Sequence, residues 1–184
     1  MRSITNAAGI AFGLMFTGLA VLVSAETILR KLFNISLQGT DELGGYILAI
    51  GSSLAFSVAL LHRAHIRIDI LHQRLPAAVQ AVLNWASIVL LAALGLFFAY
   101  VCWTILAETL EYGSTAPTPW ATPLIYPQSL WYAGLVIFAL LAVALAARAT
   151  VLLLQGRVGT LNNDFGPQTA DDELKEELED IKQR

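Results

Sequence analysis

The sequence predicts an all-α membrane protein with four transmembrane helices, and three observations carry that prediction. Four apolar runs, residues 7–29, 43–61, 79–107 and 130–154, are each close to or beyond the roughly 20 residues that cross a hydrocarbon core of about 30 Å. Only 14% of the 184 residues are charged, against roughly 25% in soluble domains, and the mean hydropathy is +0.65. The charge is also segregated, with residues 162–184 holding 8 acidic and 3 basic groups. The chain therefore divides into a four-helix membrane domain over residues 1–161 and an acidic cytoplasmic tail over 162–184. Strands of a lipid-facing barrel would alternate over about ten residues, whereas these runs are evenly apolar. Helices satisfy their backbone polar groups internally and fit such runs.

The first run is uncharged until Glu26 and ends at Arg30 and Lys31. Its start admits a second reading: Arg2, an apolar stretch, then Val23, Ser24 and Ala25 before Glu26 form the pattern of a secretory signal with a small-residue cleavage site. Intact mass separates the two readings. The short loop that follows holds Asn34 and Gly39 as turn formers. Asp41 and Glu42 then stand at the N-terminus of the second helix, where negative charge suits the macrodipole by about 0.3–1 kcal/mol. From there they are expected to pair with Arg30 or Lys31 across the loop.

The second run carries small residues at intervals of four, Gly45, Ala49, Ser53 and Ser57. Such a stripe lets two helix backbones approach closely and marks a subunit-packing face, whether the partner helix belongs to this chain or to another. After it come His62, His65 and His72, interleaved with Arg63, Arg67, Asp69 and Arg74. This segment is expected to form an amphipathic helix in the headgroup layer, with the arginines near lipid phosphates. A metal site would need three or four ligands converging on one point, and the histidine spacing is permissive without being specific.

The third run is the longest, and the fourth is broken only by Arg148 near its end. Between them Pro117, Pro119 and Pro123 forbid regular helix, while Pro127 fits the first turn of the last helix. The intervening loop presents Trp120 and Tyr126 as a candidate docking surface for a soluble partner or an anchor at the membrane surface. The tail is expected to hold a short helix capped by Thr169 and striped by Leu174, Leu178 and Ile181. Lys and Arg are retained on the cytoplasmic side. Arg63, Arg67 and Arg74, with Arg148 and Arg157, then place both termini in the cytoplasm.

Several function classes fall away. The single cysteine, Cys102, excludes an internal disulfide and a cysteine-cluster metal site. No phosphate loop, dinucleotide fingerprint or nucleophile motif occurs, so no enzyme and no cofactor are expected, and no basic face suits nucleic acid. Ionisable groups within the spans, Glu26, Glu108, Glu111 and Arg148, lie near helix ends, which argues against a proton-coupled carrier acting alone. The residues thus support a four-span scaffold or accessory subunit in a lipid bilayer. A small four-span multidrug-type exporter, working as a homo-oligomer through Glu26, is the alternative. An anchor of a membrane redox complex is disfavoured, because its haem-ligating histidines would project from within the spans.

Arg30 and Lys31 through Asn34, then Ser36 and Leu37, then Asp41 and Glu42 opening a helix, resemble the first-loop pattern of the DctQ family. These are the small membrane subunits of tripartite ATP-independent periplasmic (TRAP) transporters. His65 to Asp69, followed by Leu75 and Pro76, is similar to that family's second recurring segment, and the likeness covers about residues 7–155. Lys31 stands where many members carry an aromatic residue and Gly39 where many carry Trp. The resemblance implies a bacterial inner-membrane subunit of a sodium-driven transporter for organic acids. It also implies two partners: a large multi-span membrane subunit that carries the transport sites, and a periplasmic substrate-binding protein.

Overall fold

The computed structural model describes residues 2–36, 39–61 and 75–166. Five helices follow one another: α1 (Arg2–Phe33), α2 (Thr40–Leu61), α3 (Ala77–Tyr112), α4 (Ile125–Leu154) and α5 (Val158–Phe165). The first four each contain a stretch long and apolar enough to cross a membrane, beginning at Phe12 in α1. α1 and α3 outrun their apolar runs at both ends because helix continues through flanking polar residues to a residue that can end it. After α1 Asn34 takes the left-handed conformation, φ 53°, and the Ile35 N–H returns to the Leu29 carbonyl at 3.3 Å. Asn is among the few side chains that tolerate this conformation. Gly113 does the same after α3, φ 59°, and Gly156 after α4, φ 67°. The inner-loop histidines and arginines, His65 and Asp69 among them, and the tail from residue 167 lie outside the described residues.

The described residues fall into two compact units, those within Met1–Val58 and Gly95–Ala139, and those within Ala59–Leu94 and Leu140–Arg184. In the first, the small residues that bring helices together are only partly those of the four-residue stripe. Ser53 and Ser57 are buried, and Ser53 faces Gly134 of α4, where an added Cβ would stand 3.0 Å from the Ser53 Cβ and nearer still to its Oγ. Gly45 faces open space, with nothing within 4 Å of an added Cβ, and Ala49 is half-buried. α1 is seated instead by Gly44 and Gly51. A Cβ on Gly51 would lie 2.9 Å from the Phe16 ring, and one on Gly44 3.6 Å from Leu19. Gly95 of α3 likewise admits Phe138 of α4, whose ring also meets Phe56 with centroids 5.8 Å apart. Such close backbone approach supplies the dispersion contacts that hold helices together where lipid removes the hydrophobic drive.

In the second unit Ala81, Ile88, Ala92, Ala142, Ala149 and Leu152 are buried. Their core is closed by α5, which buries Leu161 and Phe165. The fully buried Asn84 donates from Nδ2 to Asn162 Oδ1 at 3.1 Å, and Asn162 Nδ2 donates to the Ala77 carbonyl at 3.0 Å. Trp85 Nε1 donates to Thr150 Oγ1 at 2.9 Å, and Arg148 pairs with Asp164 at 2.5 Å. Residues 162–166, the start of the acidic segment by composition, are thus folded against α3 and α4, and Gly166 is buried where the described chain ends.

Candidate functional site

The polar groups of the first unit gather where α1 ends, α2 begins and the chain passes from α3 to α4. Glu26 is 4% exposed. Its Oε1 accepts from Arg30 Nη2 at 2.7 Å and Nε at 3.1 Å, and from Ser36 Oγ at 2.9 Å. The Arg30 partner is therefore one helical turn away on α1, not Asp41 or Glu42 across the loop. The i, i+4 spacing explains the outcome: the two side chains share a face of a helix already formed, so pairing orders no additional backbone. With the Arg30 side chain 60% exposed, solvent screening leaves this pair worth about 1 kcal/mol at most.

Glu42 has a different task. Buried at the start of α2, it accepts hydrogen bonds from Tyr46 Oη at 2.8 Å and from Thr118 Oγ1. The second bond ties α2 to the loop between α3 and α4. That loop is closed on itself: Thr115 and Pro123 form an antiparallel bridge, the Ala116 N–H donates to the Thr122 carbonyl at 2.9 Å, and the Leu124 N–H to the Ser114 carbonyl at 3.1 Å. Its prolines therefore sit in a small hairpin-like turn, with Ala116 buried beneath it. Trp120 at the apex lies over Gly39, where an added Cβ would meet the indole at 2.7 Å. Gly39 also takes φ 98°, so glycine is required there on two counts. Trp120 and Tyr126 stay more than half exposed.

Between α1 and α2 at this end lies an open cavity of about 310 Å³, lined by Val23, Glu26, Thr27, Arg30, Lys31, Thr40 and Asp41. Among the described residues no group of three His, Cys, Asp or Glu side chains converges on a point that would hold a metal ion. Of the positions singled out from the sequence, Arg30, Asn34, Asp41, Glu42 and Trp120 meet in this one region, while Tyr126 stands exposed at the start of α4. His65 and Asp69 lie outside the described residues. Sequence reasoning named Ser36 only within the family pattern and missed Thr118; the hydroxyls of these two hold the two buried carboxylates. It also missed Gly44 and Gly51, whose seven-residue spacing is a helical repeat visible in the sequence.

Fold and site define a four-span integral membrane protein whose polar groups collect at helix ends. The profile of one protein family, described as tripartite ATP-independent periplasmic transporters, DctQ component, matches residues 19–152. That is well over half of the chain and reaches into all four spans. The chain belongs to this family and is the small membrane component of a TRAP transporter; the family is one of transporter components, not of enzymes. No curated protein matches the sequence.

Proposed function

We propose that the chain is the static scaffold subunit of a transporter that uses a sodium gradient to take up an organic acid delivered by a periplasmic binding protein. It sits in the bacterial inner membrane with both termini in the cytoplasm, as its arginine distribution favours. The single observation that carries this reading is the family match reaching into all four spans. The polar chemistry agrees with it. Glu26, the acid an exporter would need free, is engaged by Arg30 and Ser36 at a helix end.

In this reading a large multi-span subunit carries the ion and substrate sites and moves, while this chain widens the frame around it. Ser53 and Ser57 already pack inside the chain, so the face offered to the large subunit is the bare side of α3, where Leu90, Leu94 and Phe97 stand exposed at helical spacing. The loop held by Glu42, with Trp120 over Gly39 and Tyr126 beside it, faces the periplasm and helps receive the binding protein.

Affinity purification of the full chain from its native membrane in mild detergent, with intact-mass analysis of everything retained, tests the proposal. The expected result is a roughly stoichiometric large membrane protein. A lone homo-oligomer would overturn it and turn attention to Glu26 as the working group of an exporter.

A further inference from the structure

Besides the Glu26–Arg30 pair, the cavity between α1 and α2 holds a cation and an anion that do not neutralise one another. Lys31 at the end of α1 and Asp41 at the start of α2 line the same space. Among the described residues neither makes an ion pair or a side-chain hydrogen bond. Arg30 spends Nε and Nη2 on Glu26 and Ser36, which leaves Nη1 without a partner among the described residues. Glu26 is buried and held by Arg30 and Ser36, so it acts as a fixed wall. A cation and an anion that share a groove without pairing fit a ligand that itself carries an anion and a cation.

Position narrows the class. Val23 lies on the apolar side of the groove and Lys31 on the polar side, so the cavity straddles the depth at which a span passes from hydrocarbon into headgroups. One turn along α2 from Asp41 is Gly45, where an added Cβ would meet nothing within 4 Å. Past the groove, α2 thus leaves open space of the kind an acyl chain can follow. We propose that this groove binds an aminophospholipid: its phosphate faces Lys31 and Arg30 Nη1, its primary ammonium faces Asp41, and one acyl chain runs past Gly45. A protein segment would have to bring both charges at a fixed spacing. Each lipid of this class brings both, and the surrounding leaflet supplies it at high concentration, which fills even a weak site by mass action. The inference needs only that these helix ends lie at a membrane surface and is independent of the transporter reading.

A primary ammonium donates hydrogen bonds to a carboxylate, whereas a trimethylammonium donates none, and this difference sets the experiment. The full chain, with any subunit that co-purifies, is reconstituted in bilayers of equal phosphatidylethanolamine and phosphatidylcholine. It is then extracted mildly, and the retained lipid is read by native mass spectrometry. Phosphatidylethanolamine is expected to be retained over phosphatidylcholine by about fivefold, the size an exposed charge pair supplies. Asp41→Asn should abolish that preference, and Lys31→Gln should lower retention of both lipids. Glu111→Gln, exposed and outside the groove, should change nothing. Both groove side chains are exposed and unbonded, so the variants keep the fold, which continued protection of the Cys102 thiol verifies. Equal retention of the two lipids, or a preference that survives Asp41→Asn, would overturn the proposal. So would displacement by soluble glycerophosphoethanolamine at matched concentration, which would mark a site for a free phosphate compound, or a lipid-free groove covered by a second protein subunit.

Discussion

Gly134→Ala tests the packing argument in its sharpest form. The added methyl would stand 3.0 Å from the Ser53 Cβ and nearer still to its Oγ, while carbon atoms pack at about 3.5–4.0 Å. Ser53 is fully buried, and its Oγ is committed to the Ile50 carbonyl at 2.8 Å, so rotating the hydroxyl away loses a hydrogen bond and still leaves the two carbons too close. α4 must therefore withdraw from α2 by roughly 0.5–1 Å, a gap that forfeits a quarter to a half of each lining contact. The expected cost is about 1–3 kcal/mol. At roughly 2–4 °C per kcal/mol for a chain of this size, the melting temperature should fall by about 5 °C. The only cysteine, Cys102, is 1% exposed, so a thiol-reactive dye reports unfolding of the detergent-solubilised chain on heating. In a Ser53→Gly background the same methyl finds space, and adding Gly134→Ala there should be neutral or stabilising. A loss of similar size in both backgrounds, or no loss in either, would refute the claim that these two positions set the distance between α2 and α4.

Three further outcomes are expected. Glu42→Ala removes the acceptor of the Thr118 hydroxyl, so amide exchange at Ala116, Ala121 and Leu124 should quicken while the helix interiors keep their protection, as hydrogen-exchange mass spectrometry would read. Asn84→Ala leaves Asn162 Oδ1 without its donor and should cost about 1–2 kcal/mol; loosening of α5 should then speed tryptic cleavage after Arg157, and an unchanged cleavage rate would mean that the amide pair does not hold α5. Glu26→Gln weakens the Arg30 pair by about 1 kcal/mol at most, and co-purification of a large membrane subunit should weaken with it. Transport abolished with assembly intact would instead favour an exporter.

The four spans were legible because each rests on composition over some 20 residues, a signal that no tertiary contact has to confirm. Their ends were less so: α3 runs to Tyr112 because Gly113 can turn there, whereas hydropathy fades near residue 107. The Glu26–Arg30 pair was readable from its spacing, yet cross-loop partners for Arg30 were equally consistent with the sequence until the helix was seen to continue past Lys31. Half of the small-residue stripe lies where a packing face should: Ser53 and Ser57 are buried, while Gly45 is bare. A period of four drifts around a helix of 3.6 residues per turn, so one ladder cannot stay on one face for long. Thr118 meeting Glu42 and Trp120 covering Gly39 join positions more than 70 residues apart, and nothing local in the sequence encodes either contact.

α3 also fixes a vertical scale. Its 36 residues rise about 54 Å, against about 30 Å of hydrocarbon, so roughly 24 Å must emerge from the oil or be absorbed by tilt. The first polar group buried along it is Asn84, about 10 Å from the start of the helix. A bilayer boundary that crosses α3 above Asn84 leaves the amide pair that fastens α5 outside the oil; a thicker membrane, whose boundary falls among the alanines, valines, Leu83 and Gln80 of the first two turns, immerses it. The chain thus carries an allowance for membrane thickness, and that allowance runs out at Asn84.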